Sequence, residues 1–593
     1  MKRFFTKLSV LTFLCFLLIN PAVAQDITLS GTVTDAADKS PLPGVGVQIK
    51  GTQTGTTTDA SGKFALSAPA NSTLIFTYIG YTTREVTVSN QTTINIELSE
   101  STQDLEAVVV VGYGTQRKRD VTGSISQVNG EEIARMPNTN PLSPLQGKVA
   151  GLTVVNSGSP GAAPTVRIRG IGTVSSSASP LYVVDGVHQS NIDYVNPADI
   201  ESIEVLKDAS SLAIFGLQAA NGVIVVTTKR AKTGQTTVNF SSSAGFQKVN
   251  NTIDVLNAAE FRSVYDKLRA NANSVPFDYT NYTADTDWQN EILRTAFQNN
   301  NSLTISNSGE KSTTLFTLGY NTQEGVLKYG QYDRYTARLN EEINITKNIR
   351  IGGDVTGSHW SLNGSSASLN NALWAAPIVG IRESETAYYN MPSFQRAQVG
   401  NPVAAIDQND RNSINKGYRF VGSLFGEVKF LEKFTWRSQV YADLGFNNTR
   451  GYTPIPFTQV NLGENGNATE YFNNPNARTS VRQSAEEFRR FQQDHTLTYT
   501  TDLGDHSITG LAGFTTIYTS STSLSGNRTD NRLTVPDAPE FWYVGIIDAD
   551  NPTTLGGGGN EGASMGFFGR ANYSFKDRYL VNASIRRDGL TNL

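Results

Sequence analysis

The sequence predicts a mainly β chain in three parts: a small β-sandwich, a mixed α/β unit, and a long antiparallel sheet of the membrane-spanning kind. Three observations carry this. The 593 residues are poor in charge, 17% against the roughly 25% of an ordinary soluble chain, yet hold 28 Phe and 23 Tyr, a mixture that suits strands. Apolar residues recur with period 2 along most of the chain. From residue 238 onward, very short and long connections between the alternating runs take turns.

Composition also excludes functions. A formal net charge of −4 argues against a protein that holds nucleic acid by neutralising phosphates. Only 38% of residues are hydrophobic, and beyond the first two dozen residues no run of about 18 apolar residues reads as a transmembrane helix.

Residues 1–24 carry Lys2, Arg3 and Lys7, an apolar core from Leu8 to Ile19, then Pro21 and Ala22-Val23-Ala24. That is the three-part pattern of a secretory signal, with cleavage expected after Ala24. Cys15 lies in the middle of the apolar core without the small residues a lipoprotein signal needs before it. Cleavage removes this one cysteine, so the exported chain is expected to lack disulfides, thiolate metal sites and a cysteine nucleophile.

Residues 26–100 alternate in short bursts: Leu29 and Val33; Val45, Val47 and Ile49; Phe64 and Leu66; Leu74 and Phe76; Ile94, Ile96 and Leu98. Turn residues such as Asp59-Ala60-Ser61-Gly62 separate them, which predicts a sandwich of about seven short strands. The Asp59 turn lacks the alternating acidic ligands of a calcium loop and reads as a plain turn.

A polar linker leads to Glu106-Ala107-Val108-Val109-Val110-Val111 and then a basic run from Gln116 to Arg119. Four consecutive valines prefer extended backbone. They suit a buried strand of the next unit, or a tethered strand kept free to join another protein's sheet edge. Residues 120–234 mix strands at Tyr182–Gly186, Ile203–Leu206 and Gly222–Thr228 with a short helix near Ala209–Phe215. Arg169-Gly170-Ile171-Gly172 lacks the third glycine and the lysine of a phosphate loop, so no nucleotide site is expected.

Further on, Phe420, Gly422, Leu424, Gly426, Val428 and Phe430 form one apolar row, with Arg419, Ser423, Glu427 and Lys429 on the other face. The next strand repeats the pattern with Phe434, Trp436, Val440 and Phe446 against Thr435, Arg437, Gln439 and Asp443. Apolar-out, polar-in strands of this length, ending in aromatics, are those of an outer-membrane barrel. About eleven are expected: 238–248, 300–308, 312–324, 331–345, 349–360, 417–430, 434–447, 482–503, 506–520, 563–576 and 579–588.

The stretches DLEAVVVVGYGTQRK (104–118), LYVVDGV (181–187), NPADIESIEVLKDAS (196–210) and AANGVIVVTTK (219–229) closely resemble TonB-dependent outer-membrane receptors of the SusC/RagA type. The resemblance covers essentially the whole mature chain. It implies a carboxypeptidase-regulatory-like sandwich at 26–100, a TonB-box segment at 104–118, a plug at 119–234 and a partial barrel over 235–593. It also implies that Glu106, Ala107, Val108, Val109, Val110 and Val111 pair with a TonB-type energiser driven by an inner-membrane motor complex. The implied partners are a SusD-like surface lipoprotein, outer-membrane lipid and a large ligand. The resemblance implies an oligosaccharide as that ligand, with a peptide as the variant. Surface binding or signalling without transport are the other classes. Complete barrels of this type have roughly 22 strands. RRDGLTNL, 586–593, resembles a mid-barrel motif, so the chain is expected to be the N-terminal portion of a longer receptor or a shortened copy.

No catalytic site, metal site or cofactor is expected. His188, His359, His495 and His506 are scattered, and HExxH, GxSxG and CxxC are absent. Trp374, Tyr388, Tyr389, Tyr452, Trp542 and Tyr543 are expected in the long outer connections. Loop packing, membrane-girdle placement and lid docking together are favoured over ligand stacking for them.

Overall fold

The computed structural model describes residues 26–592 except 37, 53, 70–71, 79–80, 89–90, 100–107, 111–114, 118–122, 137–138, 174–176, 232–233, 235, 366, 410–411, 530–535 and 547–552. The predicted signal, with Cys15, lies outside the described residues, as do Glu106, Ala107 and Val111. The chain divides into two units, residues 1–107 and 108–593.

The first unit is a sandwich of seven strands. Lys63–Pro69, Asp26–Asp35 and Ile96–Leu98 form one sheet; Gly55–Thr57, Gly46–Ile49, Thr73–Thr77 and Arg84–Thr87 form the other. Every second residue of Lys63–Pro69 is buried, so the period-2 pattern becomes an inner face. Leu29, Val33, Val47, Leu66, Leu74 and Phe76 meet there. Asp59 accepts backbone hydrogen bonds from Ser61 and Lys63 at 2.8 and 2.9 Å, closing the turn on itself.

The second unit contains the plug and the large sheet. The plug is a five-stranded sheet in the order Ile125–Asn129, Ile200–Leu206, Val223–Thr228, Leu181–Val184, Val187–Gln189. Leu181–Val184 and Val223–Thr228 run parallel and are apolar on both faces, because each face carries its own core. Asp208 caps the short helix Ala209–Leu212 by accepting from the Ser211 N–H at 3.1 Å.

Eleven strands form the large sheet, each paired antiparallel with the next: β1 Thr237–Gln247, β2 Ala296–Ser308, β3 Ser312–Glu324, β4 Gln331–Asn344, β5 Ile349–Asn363, β6 Ser413–Phe430, β7 Phe434–Thr453, β8 Ser480–Leu503, β9 His506–Thr529, β10 Thr554–Phe575 and β11 Tyr579–Asn592. On β6, Phe420, Leu424 and Phe430 are exposed on one face, while Val421 and Phe425 are buried on the other. The outward row from Tyr418 to Phe430 spans roughly 30 Å at ~3.4 Å per residue and a tilt of ~45°, the height of a lipid core. Aromatic pairs mark its ends: Phe430–Phe434 and Phe434–Tyr499 beside the short turns, His359–Tyr418 and Tyr320–Tyr335 towards the long connections.

The long connections are folded. Arg382–Ser384, Ala387–Tyr389, Thr458–Asn461 and Glu470–Phe472 make a four-stranded sheet across two of them. Helix Ala258–Asn271, closed by an Asn257/Glu260 capping box, comes from a third. Glu464 ties all three together, accepting from Tyr282 Oη at 2.6 Å, Ser393 N at 2.9 Å and Arg396 Nη2 at 3.3 Å. Tyr452, expected in an outer connection, instead lies at the outer end of β7. There it stacks on the buried Trp542 at 5.8 Å, since an aromatic at a strand end is covered by the neighbouring loop.

Candidate functional site

Strands β3, β4 and β6 to β11 touch the plug, so the sheet wraps it, and the inward polar residues predicted from alternation supply much of the grip. Arg338 of β4 binds Asp354 of β5 at 2.5 Å and donates to Thr228 Oγ1 and the Lys229 carbonyl at the plug's last strand. Thr228 in turn donates to Asp185 at 2.6 Å. Tyr441 and Gln492 meet the plug strand Val187–Gln189: Gln189 donates to Tyr441 at 2.6 Å and the His188 N–H to Gln492 at 3.2 Å. A buried ion pair gains stability only when its remaining hydrogen bonds are made, and these extra partners make them.

Above this grip a cavity of about 380 Å³ opens between plug and wall. Asp193 and Tyr194 of the plug form its floor; Tyr332, Arg334, Trp360 and Phe488 line the wall. A second hollow of about 450 Å³ shares Gly445, Asn447 and Phe488 with it and adds Glu486, Ser521 and Asn560. The two therefore adjoin at Gly445, Asn447 and Phe488, and the pair is termed the groove. Arg419 is held by both oxygens of Asp443, at 2.9 and 2.7 Å, and lies 4.5 Å from the Tyr194 ring. Its charge is already matched. Arg334 is 2% exposed and donates to Asn321 and to the Thr139 carbonyl, at 2.8 and 2.9 Å. Burial raises the Asp193 carboxyl above its ordinary range, against the pull of Arg334, the Asn140 amide and Arg419. The groove thus offers carboxylates, guanidinium groups, amides, hydroxyls and aromatic side chains with little net charge.

The predicted energiser segment lies elsewhere. Val108–Val110 form a strand paired antiparallel with Thr115–Arg117, Val109 opposite Gln116. The run is thus not a strand of the plug sheet. Of the loop aromatics, Tyr388 is buried and donates to Asp407 at 2.6 Å, with burial first and this hydrogen bond second pushing its hydroxyl up to about 12. Tyr543 lies beneath Arg450, and Trp374 is 62% exposed. The four histidines stay apart. His188 is buried in the plug, where burial and then Arg490 and Arg586 push it down to about 3. His359, His495 and His506 contact Tyr418, Ser438 and Tyr573 on separate strands. Sequence reasoning missed Asp193, Arg334, Trp360 and Phe488. For Arg334, Trp360 and Phe488 the one legible signal was the inward phase of their strands, which had placed Arg419 and Asp443 on the polar face; Asp193, in a plug turn, had none.

A family model described as the CarboxypepD_reg-like domain matches residues 29–110, and the TonB-dependent Receptor Plug Domain matches residues 117–223. The TonB-dependent receptor P39 of Formosa agariphila is 31% identical over 606 residues, covering 98% of this chain and 55% of its own. The TonB-dependent receptor SusC of Bacteroides thetaiotaomicron is 32% identical over 505 residues, 76% of this chain and 48% of its own. Among solved structures, the RagAB peptide importer in its open-open state shares the fold with a TM-score of 0.68. Its identity is 22%, over 82% of this chain and 56% of that one. The chain spans about half the length of the curated relatives it matches. With these matches along the sandwich, the plug and the eleven-stranded sheet, over the length it spans the chain belongs to the SusC-like TonB-dependent receptors.

Proposed function

We propose that the protein acts in the outer membrane as an energised importer of a large neutral polar nutrient, an oligosaccharide. The groove between plug and wall carries this reading. Trp360 and Phe488 offer faces to the C–H sides of sugar rings, and Asp193, Asn447 and Glu486 offer partners for hydroxyls. The predicted signal over residues 1–24 fits export, and the outward aromatic-bounded row fits the lipid. Glu106–Val111 would carry the energiser. Within it Val108–Val110 is already extended and, among the described residues, pairs at one edge with Thr115–Arg117, a form to which a partner strand could add. A SusD-like lipoprotein over the folded outer connections would close the groove. A peptide ligand is the second reading, favoured by the fold shared with the RagAB peptide importer.

The deciding experiment deletes Glu106–Val111 and follows both surface binding and energy-dependent accumulation of labelled maltoheptaose and of a labelled mixed peptide pool. Binding without accumulation is expected. Unchanged accumulation at normal surface abundance refutes energised import. Accumulation of peptide but not glucan reverses the choice of ligand.

A further inference from the structure

Two sequence motifs not yet given a role meet in space: the plug stretch after Lys207-Asp208, and Arg586-Arg587-Asp588-Gly589 on β11. The plug chain leaves helix Ala209–Leu212 through a 3-10 turn, Ala213–Phe215, and bends at Gly216 with φ 78°. Carbonyls at the end of such a turn lack partners within it. Arg586 supplies one, donating from Nη1 to the Ile214 carbonyl at 2.8 Å, while its Nε donates to Asp588 at 2.7 Å. The guanidinium also lies 5.3 Å from the Phe568 ring, which packs with Ile214 and Phe215. Ser584 adds a hydrogen bond to the Ser210 carbonyl at 3.3 Å.

Glycines make room for this contact. A Cβ on Gly216 would stand 2.2 Å from an Asp588 oxygen. On the wall side, a Cβ on Gly566 would stand 2.4 Å from the other Asp588 oxygen and 2.6 Å from Arg586 Nη2. The Arg586–Asp588 pair is therefore held in a slot one atom deep on either side, with 7% and 15% of its side chains exposed.

The other end of this plug segment faces the junction. Gly123, the sixth residue after strand Thr115–Arg117, sits so close to Asp208 and Ser211 that a Cβ there would lie 2.5 Å from the Asp208 carboxylate. Burial raises that carboxyl, but hydrogen bonds led by those from Ser210 and Ser211, both to Oδ1, outweigh it and hold the group below its usual range, while Oδ2 packs against Gly123. Asp208 thus joins the incoming chain to the start of the helix whose far end Arg586 holds.

We propose that the segment Ala209–Gly216 is the plug's release catch. It is seated on Arg586 and Asp588 of β11 and linked through Asp208 to the incoming chain at Gly123–Ser124, so that tension on the junction opens it first. This rests on the reading of Glu106–Val111 as the place where tension is applied, but the catch itself does not depend on it.

The test is single-molecule pulling on the full chain in a lipid bilayer through a handle at Gln103→Cys, a position upstream of the energiser segment. The first plug rupture is expected to occur at about half the wild-type force in Gly566→Ala and in Asp208→Ala, with later ruptures unchanged. Arg586→Lys keeps the charge but not the paired donors and gives an intermediate force. It serves if Gly566→Ala fails to assemble. An unchanged first rupture in the wall variants overturns the catch, and a drop in those alone overturns its link through Asp208. Deleting Glu106–Val111 is expected to leave the trace unchanged while abolishing binding of the energiser's isolated periplasmic domain. If that binding persists, the energiser reading fails and the catch stands.

Discussion

Asp193 carries opposing demands within one side chain. It is the plug's carboxylate at the floor of the groove, and burial raises it despite Arg334, Asn140 and Arg419. A carboxyl whose folded-state pKa lies above its unfolded value binds its proton more readily in the folded state. Its contribution to stability is full below the unfolded value and is lost as pH rises through the raised one. Asp193→Asn is therefore expected to raise the urea midpoint at pH 7.5, change it little at pH 4, and flatten the pH dependence between. If the carboxylate serves ligand hydroxyls, the same variant weakens maltoheptaose binding about five- to tenfold, since a hydrogen bond to a charged group contributes about 1.5–3 kcal/mol against about 0.5–1.5 kcal/mol for a neutral one. A variant both more stable and weaker in binding marks a residue kept for function. Equal midpoints at pH 7.5 would show that the carboxylate's burial costs nothing.

Elements were legible where lipid or a core imposed a period. The eleven strands of the large sheet begin and end near the predicted short turns, because there each residue faces either lipid or lumen. At their outer ends the expectation stopped early. β9 runs on to Thr529 and β10 begins at Thr554, through Ser520–Ser525 and Gly556–Gly559. Beyond the lipid both faces are wet, alternation disappears, and glycines and serines read as loop although their backbones pair. The groove was illegible for another reason: its lining comes from a plug loop and several strands far apart in sequence, and no local pattern joins Asp193 to Trp360 or Phe488. The outer connections were opaque too, since their order depends on Glu464 meeting Tyr282, Ser393 and Arg396. Glu464→Ala is expected to leave those donors partly unsatisfied and loosen the three connections together. Limited proteolysis of whole cells should then cut within residues 248–295, 364–412 and 454–479 at least tenfold faster, while the strands stay protected. Cleavage confined to one connection would show that Glu464 does not tie the three.

At the scale of the molecule, the chain couples two units of different physics. The plug and large sheet draw order from a lipid-facing exterior and a polar interior. The sandwich closes a dry core of its own around Leu29, Val33, Leu74 and Phe76, each fully buried. A sandwich with its own core is able to fold alone, and at about 75 residues it buries enough surface to be marginally stable. Residues 26–100 expressed by themselves are therefore expected to show β-type circular dichroism and one cooperative thermal transition, which Phe76→Ala, costing about 3–5 kcal/mol, abolishes. Removing the same residues from the receptor separates import from signalling. If the sandwich serves only to space or tether the junction, maltoheptaose accumulation falls by no more than a few-fold and ligand-dependent gene induction is unchanged. Loss of induction with accumulation intact would instead assign the sandwich a signalling role and leave the groove, the junction strand and the plug catch as a separate transport device.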